Sequence, residues 1–255
     1  MSSVEYEVVD GFARIVLNNG VTNTLTTDVL RELLAAIGTA RGECRGILLA
    51  GGERFFSNGV DMDWALGQSV SGMRTLFLSL GECLLNLLEC PKPVVAAVQG
   101  HAAGAGAAMV LACDYRYAGT GRARIGKPEV LIGVPNPYYG DQLLRFVAGD
   151  YVASDLIYSG RMVPVEEAVQ LQLLHAVVPG GELEAYAFAK LRALADLHNE
   201  AFAESKSMRL GRLCADIRRQ MSSRVARQVE IWVSDEAQTR LHAAAERLRK
   251  RARST

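Results

Sequence analysis

The feature that most constrains this chain is a short apolar run that feeds a cluster of glycines and alanines. Pro93 to Val98 reads as a buried strand, and it leads directly into Gln99-Gly100-His101-Ala102-Ala103-Gly104-Ala105-Gly106-Ala107-Ala108. Gly100, Gly104 and Gly106 let the backbone turn and come close to another group. Small and helix-forming residues predict a helix from Ala105 to Ala112. Its first N–H groups have no partner inside the helix and point into the turn. No Lys follows the glycines, so this is not a phosphate loop of the G-x-x-x-x-G-K-[ST] kind. Uncharged donors above small apolar residues suit a developing oxyanion such as a thioester enolate. The plainer alternative is a tightly packed strand-to-helix turn.

The remaining chain supplies a large core around that turn. Its 255 residues suffice for one large core, or one core with a small appendage. Lys+Arg and Asp+Glu both number 28, so charge balance argues for neither nucleic acid nor a membrane surface as partner. Cys44, Cys83, Cys90, Cys113 and Cys214 are odd in number and widely spaced, with no CxxC. They suggest neither a zinc site nor a disulfide framework, and fit a reducing, cytoplasmic setting. No metal is expected. No stretch approaches the ~20 apolar residues of a membrane span.

Val4–Val9 and Phe12–Leu17 read as strands joined by an Asp10-Gly11 hairpin turn. A helix capped at Thr26 or Thr27 runs to about Arg41, and Gly46–Ala50 is a short strand. Gly51 to Met62 reads as a loop, with Phe55 and Phe56 marking a buried part. Leu76–Cys90 is an apolar helix ended by Pro91, and Asp114–Ala118 is a strand. Ile125 to Gly140 holds three prolines and three glycines between apolar residues, which predicts a rigid loop. Helices are expected over Asp141–Ala148, Tyr151–Ser159 and Val165–Leu171, and a last strand over Leu174–Val178. From Glu182 onward the pattern is helical throughout. The chain thus divides at Pro179-Gly180-Gly181: residues 1–180 alternate strand and helix, and 181–255 form a helical C-terminal region.

Phe55–Met62, Gly100–Ala108 and Pro128–Gly140, in that order, resemble the enoyl-CoA hydratase/isomerase (crotonase) family. The resemblance runs from Val4 to about Pro179 and implies an α/β fold, a crotonase-like spiral of repeated ββα units. It also implies homotrimers or hexamers assembled through the C-terminal helices. The F-S-x-G-x-D motif of the family matches Phe56-Ser57-Asn58-Gly59-Val60-Asp61. On that match one oxyanion-hole N–H falls on Val60, and the Gly-rich helix start puts the second on Ala105. Asn58, Gly59, Asp61, Gly104, Asn136 and Tyr138 fall among the implied substrate-contacting residues.

Hydratases of this family carry two glutamates. One position is Ala108 here; the other is Glu129, after Pro128. Hydration needs one group to activate water and help in delivering a proton at C2. Moving a double bond needs only a proton taken at C2 and returned at C4, which one carboxylate can do. Val134-Pro135-Asn136-Pro137-Tyr138-Tyr139 also replaces the Gly-rich sequence of the hydratases, and with Ser57-Asn58-Gly59 and Gly100-His101-Ala102-Ala103 it is similar to Δ3,Δ2-enoyl-CoA isomerases. The resemblance therefore implies an isomerase acting on 3-enoyl-CoA, with no cofactor beyond the CoA of its substrate. The rivals are a hydratase or lyase with a replacement acid such as Asp141, and a non-catalytic acyl-CoA-binding paralogue. His101 reads as a packed or backbone-bonded ring, Asp61 as a loop-fixing carboxylate. Tyr138 and Tyr139 suit either an acyl wall or plain packing. The basic run Arg240, Arg247, Arg249, Lys250, Arg251 and Arg253 suits a solvated helix face, or contact with CoA phosphates.

Overall fold

The computed structural model describes the backbone of residues 2–253 and the side chains of residues 2–247. Arg249, Lys250, Arg251 and Arg253 therefore lie outside the described side chains. The chain opens with the hairpin β1 (Val4–Val9) and β2 (Phe12–Leu17), whose turn residues Asp10 and Gly11 both have positive φ, 52° and 81°. That is the turn whose twist matches paired strands. Helix α1 (Thr27–Glu43) follows, capped by the Thr26 hydroxyl accepting from the Val29 N–H.

A repeating unit then takes over. β3 (Ile47–Ala50), β4 (Phe55–Ser57), α2 (Met62–Leu66) and α3 (Val70–Leu88) make the first. β5 (Val94–Val98), β6 (His101–Ala103) and α4 (Ala105–Leu111) make the second. β7 (Tyr115–Gly119), β8 (Arg124–Gly126), a 3₁₀ turn over Pro128–Ile132 and α5 (Tyr138–Ser159) make the third. β9 (Met162–Pro164), α6 (Val165–Gln170) and β10 (Ala176–Val178) complete the sheets. Each unit places its first strand in a six-stranded sheet ordered β1-β2-β3-β5-β7-β10 and its second in a four-stranded sheet ordered β4-β6-β8-β9. The strands of successive units pair in parallel within both sheets. This is the expected spiral of ββα units.

Three helices follow: α7 (Leu183–Ala195), α8 (Asn199–Trp232) and α9 (Asp235–Arg253). α7 packs Leu183, Ala187 and Leu191 against Leu48, Val95 and Tyr117 on one face of the large sheet. The main core lies on the other face, where α8 packs against α3 and α5. α9 rests on α2, α8 and the 3₁₀ turn through the buried residues Ala237, Leu241 and Ala245, which recur every fourth residue along one face.

Several expectations need correction. None of the four strands of the small sheet was expected: β4, β6 and β8 fall in or at the edge of stretches read as turns or loops, and β9 falls between two expected helices. Each has three residues, too few to show the two-residue alternation of a strand. α2 lies in the expected Gly51–Met62 loop region and beyond it, capped by Asp61. α3 begins at Val70 rather than Leu76, because the Ser69 hydroxyl accepts from the Gly72 N–H and sets the first turn. The Ile125–Gly140 loop contains β8 and the 3₁₀ turn, and α5 starts at Tyr138. The two helices expected over Asp141–Ala148 and Tyr151–Ser159 are both there: the α5 span is interrupted at Gly149, whose φ of 81° and ψ of 166° are not helical.

Candidate active site

The first-unit turn, the second-unit turn and the 3₁₀ turn of the third unit meet at one cavity of about 300 Å³. Asn58, Gly59 and Val60 line it from the first, Ala103, Gly104 and Ala105 from the second, and Pro128, Glu129 and Ile132 from the third. Phe77 and Leu80 of α3, Gln228 and Trp232 of α8, and Ala244 and Arg247 of α9 complete the wall.

Backbone hydrogen bonding aims the first turn. The Leu25 N–H donates to the Gly59 carbonyl (2.8 Å), and the Asp61 N–H donates to the Leu25 carbonyl (3.0 Å). In a parallel bridge those bonds use the residues flanking Val60, so the N–H of Val60 itself points away from Leu25. Asp61 holds this turn rather than the cavity. Its Oδ2 accepts from the Thr24 hydroxyl (2.7 Å) and its Oδ1 from the Trp64 N–H (2.9 Å).

The second turn brings a free helix N–H beside the first. Ala105 is the first residue of α4, so its N–H has no partner within the helix. Gly104 precedes it at φ 56°, a conformation that favours glycine. A Cβ on Gly59 would sit 3.4 Å from the Ala105 nitrogen, so the two turns are in contact. Gly106 is required for a different reason: a Cβ there would lie 2.4 Å from the Ser57 carbonyl oxygen. His101 stays out of the cavity. Its Nδ1 accepts from the Arg124 N–H (3.0 Å), its ring packs on Phe55, and burial with the charges of Arg124 and Arg54 lowers its pKa.

Glu129 is held by a buried lysine that the sequence reading did not single out. The Lys127 ammonium lies 2.7 Å from Glu129 Oε1 and donates to the Gly104 carbonyl (2.8 Å). It thereby ties the acid to the second turn. Glu129 Oε2 is buried and has no hydrogen-bond partner among the described residues. The Lys-Pro-Glu run beside the first proline of the rigid loop was the available signal for Lys127.

The other expected residues scatter. Asn136 and Tyr138 do not line the cavity. The Asn136 amide is buried without a partner and lies beside Gly140 and close to Lys127. The Tyr138 phenol donates to Asp216 on α8 while Arg224 covers its ring at 5.2 Å. Tyr139 is core: its phenol donates to the Phe77 carbonyl (3.1 Å), and burial, with the Glu129 charge, raises its pKa. Ala108 is buried in the core, off the cavity lining. Asp141 pairs with Arg145 at 2.9 Å and also lies off the lining. Arg240 packs over Gly133, and Arg247 is exposed at the cavity wall. Gln228 and Trp232 were missed in the sequence. A glutamine inside the buried stripe Met221, Val225, Gln228, Val229, Trp232 was the signal that could have found them.

Among the described residues no cluster of three or more His, Cys, Asp or Glu could hold a metal ion, and no helix is long and apolar enough to cross a membrane. The family model for enoyl-CoA hydratase/isomerase matches residues 7–251. The chain belongs to that family. Within the enoyl-CoA hydratase/isomerase family it is 33% identical to a probable enoyl-CoA hydratase of Mycobacterium avium over 202 residues, covering 77% of each protein. It is 36% identical to the human peroxisomal bifunctional enzyme over 177 residues, 69% of this chain but only 24% of that one, so it spans about a quarter of that protein. The fold matches human mitochondrial Δ3,Δ2-enoyl-CoA isomerase with a TM-score of 0.94 at 24% identity, over 98% of this chain and 99% of the other. It matches an enoyl-CoA hydratase from Bacillus halodurans with a TM-score of 0.88 at 26% identity, over 95% and 100%.

Proposed function

We propose that this member of the family is a Δ3,Δ2-enoyl-CoA isomerase with Glu129 as its single proton carrier. The observation that carries this reading is that Glu129 is the only carboxylate among the described residues lining the cavity. In the reaction, Glu129 Oε2 takes a proton from C2 of a 3-enoyl thioester. The C–H electron pair moves into the thioester, giving a dienolate whose oxygen accepts from the Val60 and Ala105 N–H groups. Each such donor is worth on the order of 2.7–4 kcal/mol when aimed at the developing charge. The carboxylic acid then returns the proton at C4, and the electrons close a C2=C3 double bond. Proton and electrons balance within substrate and Glu129, so the step needs no further cofactor.

A hydratase reading is favoured by the name of the Mycobacterium avium relative. It requires a second group to handle water, and Asp141 is engaged with Arg145 away from the cavity. Arg247 is exposed at the wall and has no ion-pair partner among the described residues, which supports a role for it in meeting a CoA phosphate. The same reading carries a cytoplasmic homotrimer or hexamer built through the helical C-terminal region.

Glu129→Gln tests the mechanism. The change is nearly isosteric, but the amide cannot accept the C2 proton. The isomerase rate on a 3-enoyl-CoA is expected to fall by the ~10²–10⁴-fold typical of a general base. Calorimetric affinity for an unreactive acyl-CoA should change little. A variant that keeps most of its rate removes Glu129 from the mechanism. Hydration of a 2-enoyl-CoA, followed separately in the parent, distinguishes the two activities.

A further inference from the structure

The cavity wall contributed by α8 contains two polar groups that the isomerisation does not use. Gln228 and Trp232 are one helical turn apart on the same face, 5% and 3% exposed, and both line the cavity. The Gln228 Oε1 and the Trp232 Nε1 are buried with no hydrogen-bond partner among the described residues. Leaving such groups unpaired is costly, so buried polar atoms in proteins are almost always satisfied. The Trp232 ring is fixed by an edge contact with Phe77, centroids 5.6 Å apart, which fixes the position of its N–H. The neighbouring wall is apolar, including Phe77, Leu80, Val134 and Pro135.

We infer that Gln228 and Trp232 form a polar subsite that selects acyl chains carrying a neutral hydroxyl. The inference rests on the acyl-CoA reading above and narrows its substrate class. An indole N–H only donates, whereas a primary amide both donates and accepts. A hydroxyl accepts from Trp232 Nε1 and donates to Gln228 Oε1, satisfying both orphans at once. If the amide is turned end for end, the same hydroxyl oxygen accepts from both side chains. A keto or ether oxygen fits only the turned amide, and a methylene satisfies neither group. A charged carboxylate would be buried beside Phe77 and Leu80, where an ion is strongly disfavoured.

The test is binding, independent of turnover. Saturated acyl-CoAs of one chain length, each with a single hydroxyl at a different carbon beyond C4, are compared by calorimetry with the plain chain. At least one hydroxyl position is expected to bind about tenfold tighter than the plain chain, the order of one well-made hydrogen bond replacing an unpaired one. Gln228→Leu and Trp232→Phe should each reduce that preference to twofold or less while plain-chain binding holds or improves. Gln228→Leu should also raise the melting temperature of the ligand-free protein, because it removes a buried unpaired amide. Equal binding of every hydroxyl isomer and the plain chain overturns the inference, as does a preference that survives both substitutions. If no thioester binds, the acyl-CoA reading falls, and this subsite with it.

Discussion

Two buried lysines hold carboxylates at the same 2.7 Å, yet only one pair faces the cavity. Behind the cavity, Lys206 of α8 reaches Asp114 just before β7. One oxygen of Asp114 takes both the Lys206 ammonium and the Val94 N–H (2.8 Å), which pins α8 to the start of β5. Lys206 adds longer bonds of 3.4 Å to the Leu87 and Lys92 carbonyls. Burial pushes the Asp114 carboxyl above its ordinary value, with Lys206 pulling it back. At the cavity, Lys127 holds one oxygen of Glu129 and leaves the other buried and unpartnered. Residue types and distances are alike in the two pairs. What differs is the setting: Glu129 lines the cavity where the Val60 and Ala105 turns meet, whereas Asp114 lines a separate cavity among Arg116, His175 and Lys206, and that setting separates a structural tie from a candidate base.

Substitution of the lysines sharpens this contrast most. Lys127→Met and Lys206→Met each strip the partner from a buried carboxylate, and each should lower unfolding free energy by about 3–5 kcal/mol in a denaturant titration. Only Lys127→Met should also slow isomerisation by the folded enzyme, by up to about 10²-fold, because a displaced base loses its reach to C2. Equal rate losses in the two variants would break the distinction. Asp114→Asn comes next. It removes the counter-ion of Lys206 but keeps an amide oxygen to accept from the ammonium and the Val94 N–H, so it should cost less, about 1–3 kcal/mol, with kcat unchanged.

The smallest effect belongs to His175, which lines the rear cavity with Asp114, Arg116 and Lys206. Its Nδ1 accepts from the Arg116 N–H (3.1 Å), and burial together with the Arg116 charge pulls its pKa down from 6.5 to about 4. The unfolded chain therefore binds a proton that the native state refuses. Stability should decline as pH falls from about 6.5 towards 4, with no further loss from this group below that range. His175→Gln keeps an acceptor without the titration, so melting temperatures over that range should show a slightly flatter acid limb. An unchanged slope would mean that His175 titrates alike in both states.

Much of the large sheet was legible because Ile47–Ala50 and Val94–Val98 are continuous apolar runs, as strands buried on both faces require. The small sheet was illegible for the opposite reason. His101-Ala102-Ala103 and Arg124-Ile125-Gly126 are strands only because neighbouring units pair with them. The site divided in the same way. Asn58, Gly59, Val60, Gly104, Ala105 and Glu129, which the family resemblance implied, line the cavity because each stands in a turn just past a strand of the small sheet. Tyr138 does not, because α5 starts three residues earlier than its sequence suggests, and helical phase turns that ring towards α8. Gln228 and Trp232 lie about a hundred positions beyond Glu129, and only tertiary packing brings them to the same cavity.

The small sheet also acts as a ruler. Val60 follows β4, Ala105 follows β6 and Glu129 follows β8, each within three residues of its strand. These strands are successive parallel neighbours, and the Gly104 N–H still donates to the Gly126 carbonyl (3.0 Å) past the end of β6. Neighbouring strands in any sheet lie ~4.7–4.9 Å apart. The interval between the proposed donors, and from donors to base, is thus set by backbone pairing and is insensitive to most side-chain substitutions. Changing it takes a slip or a bulge, such as the register shift already present between Phe55 and Ser57. Divergence in this architecture is therefore channelled into the helical walls, where α3, α8 and α9 can be rewritten while the interval between reacting groups stays fixed.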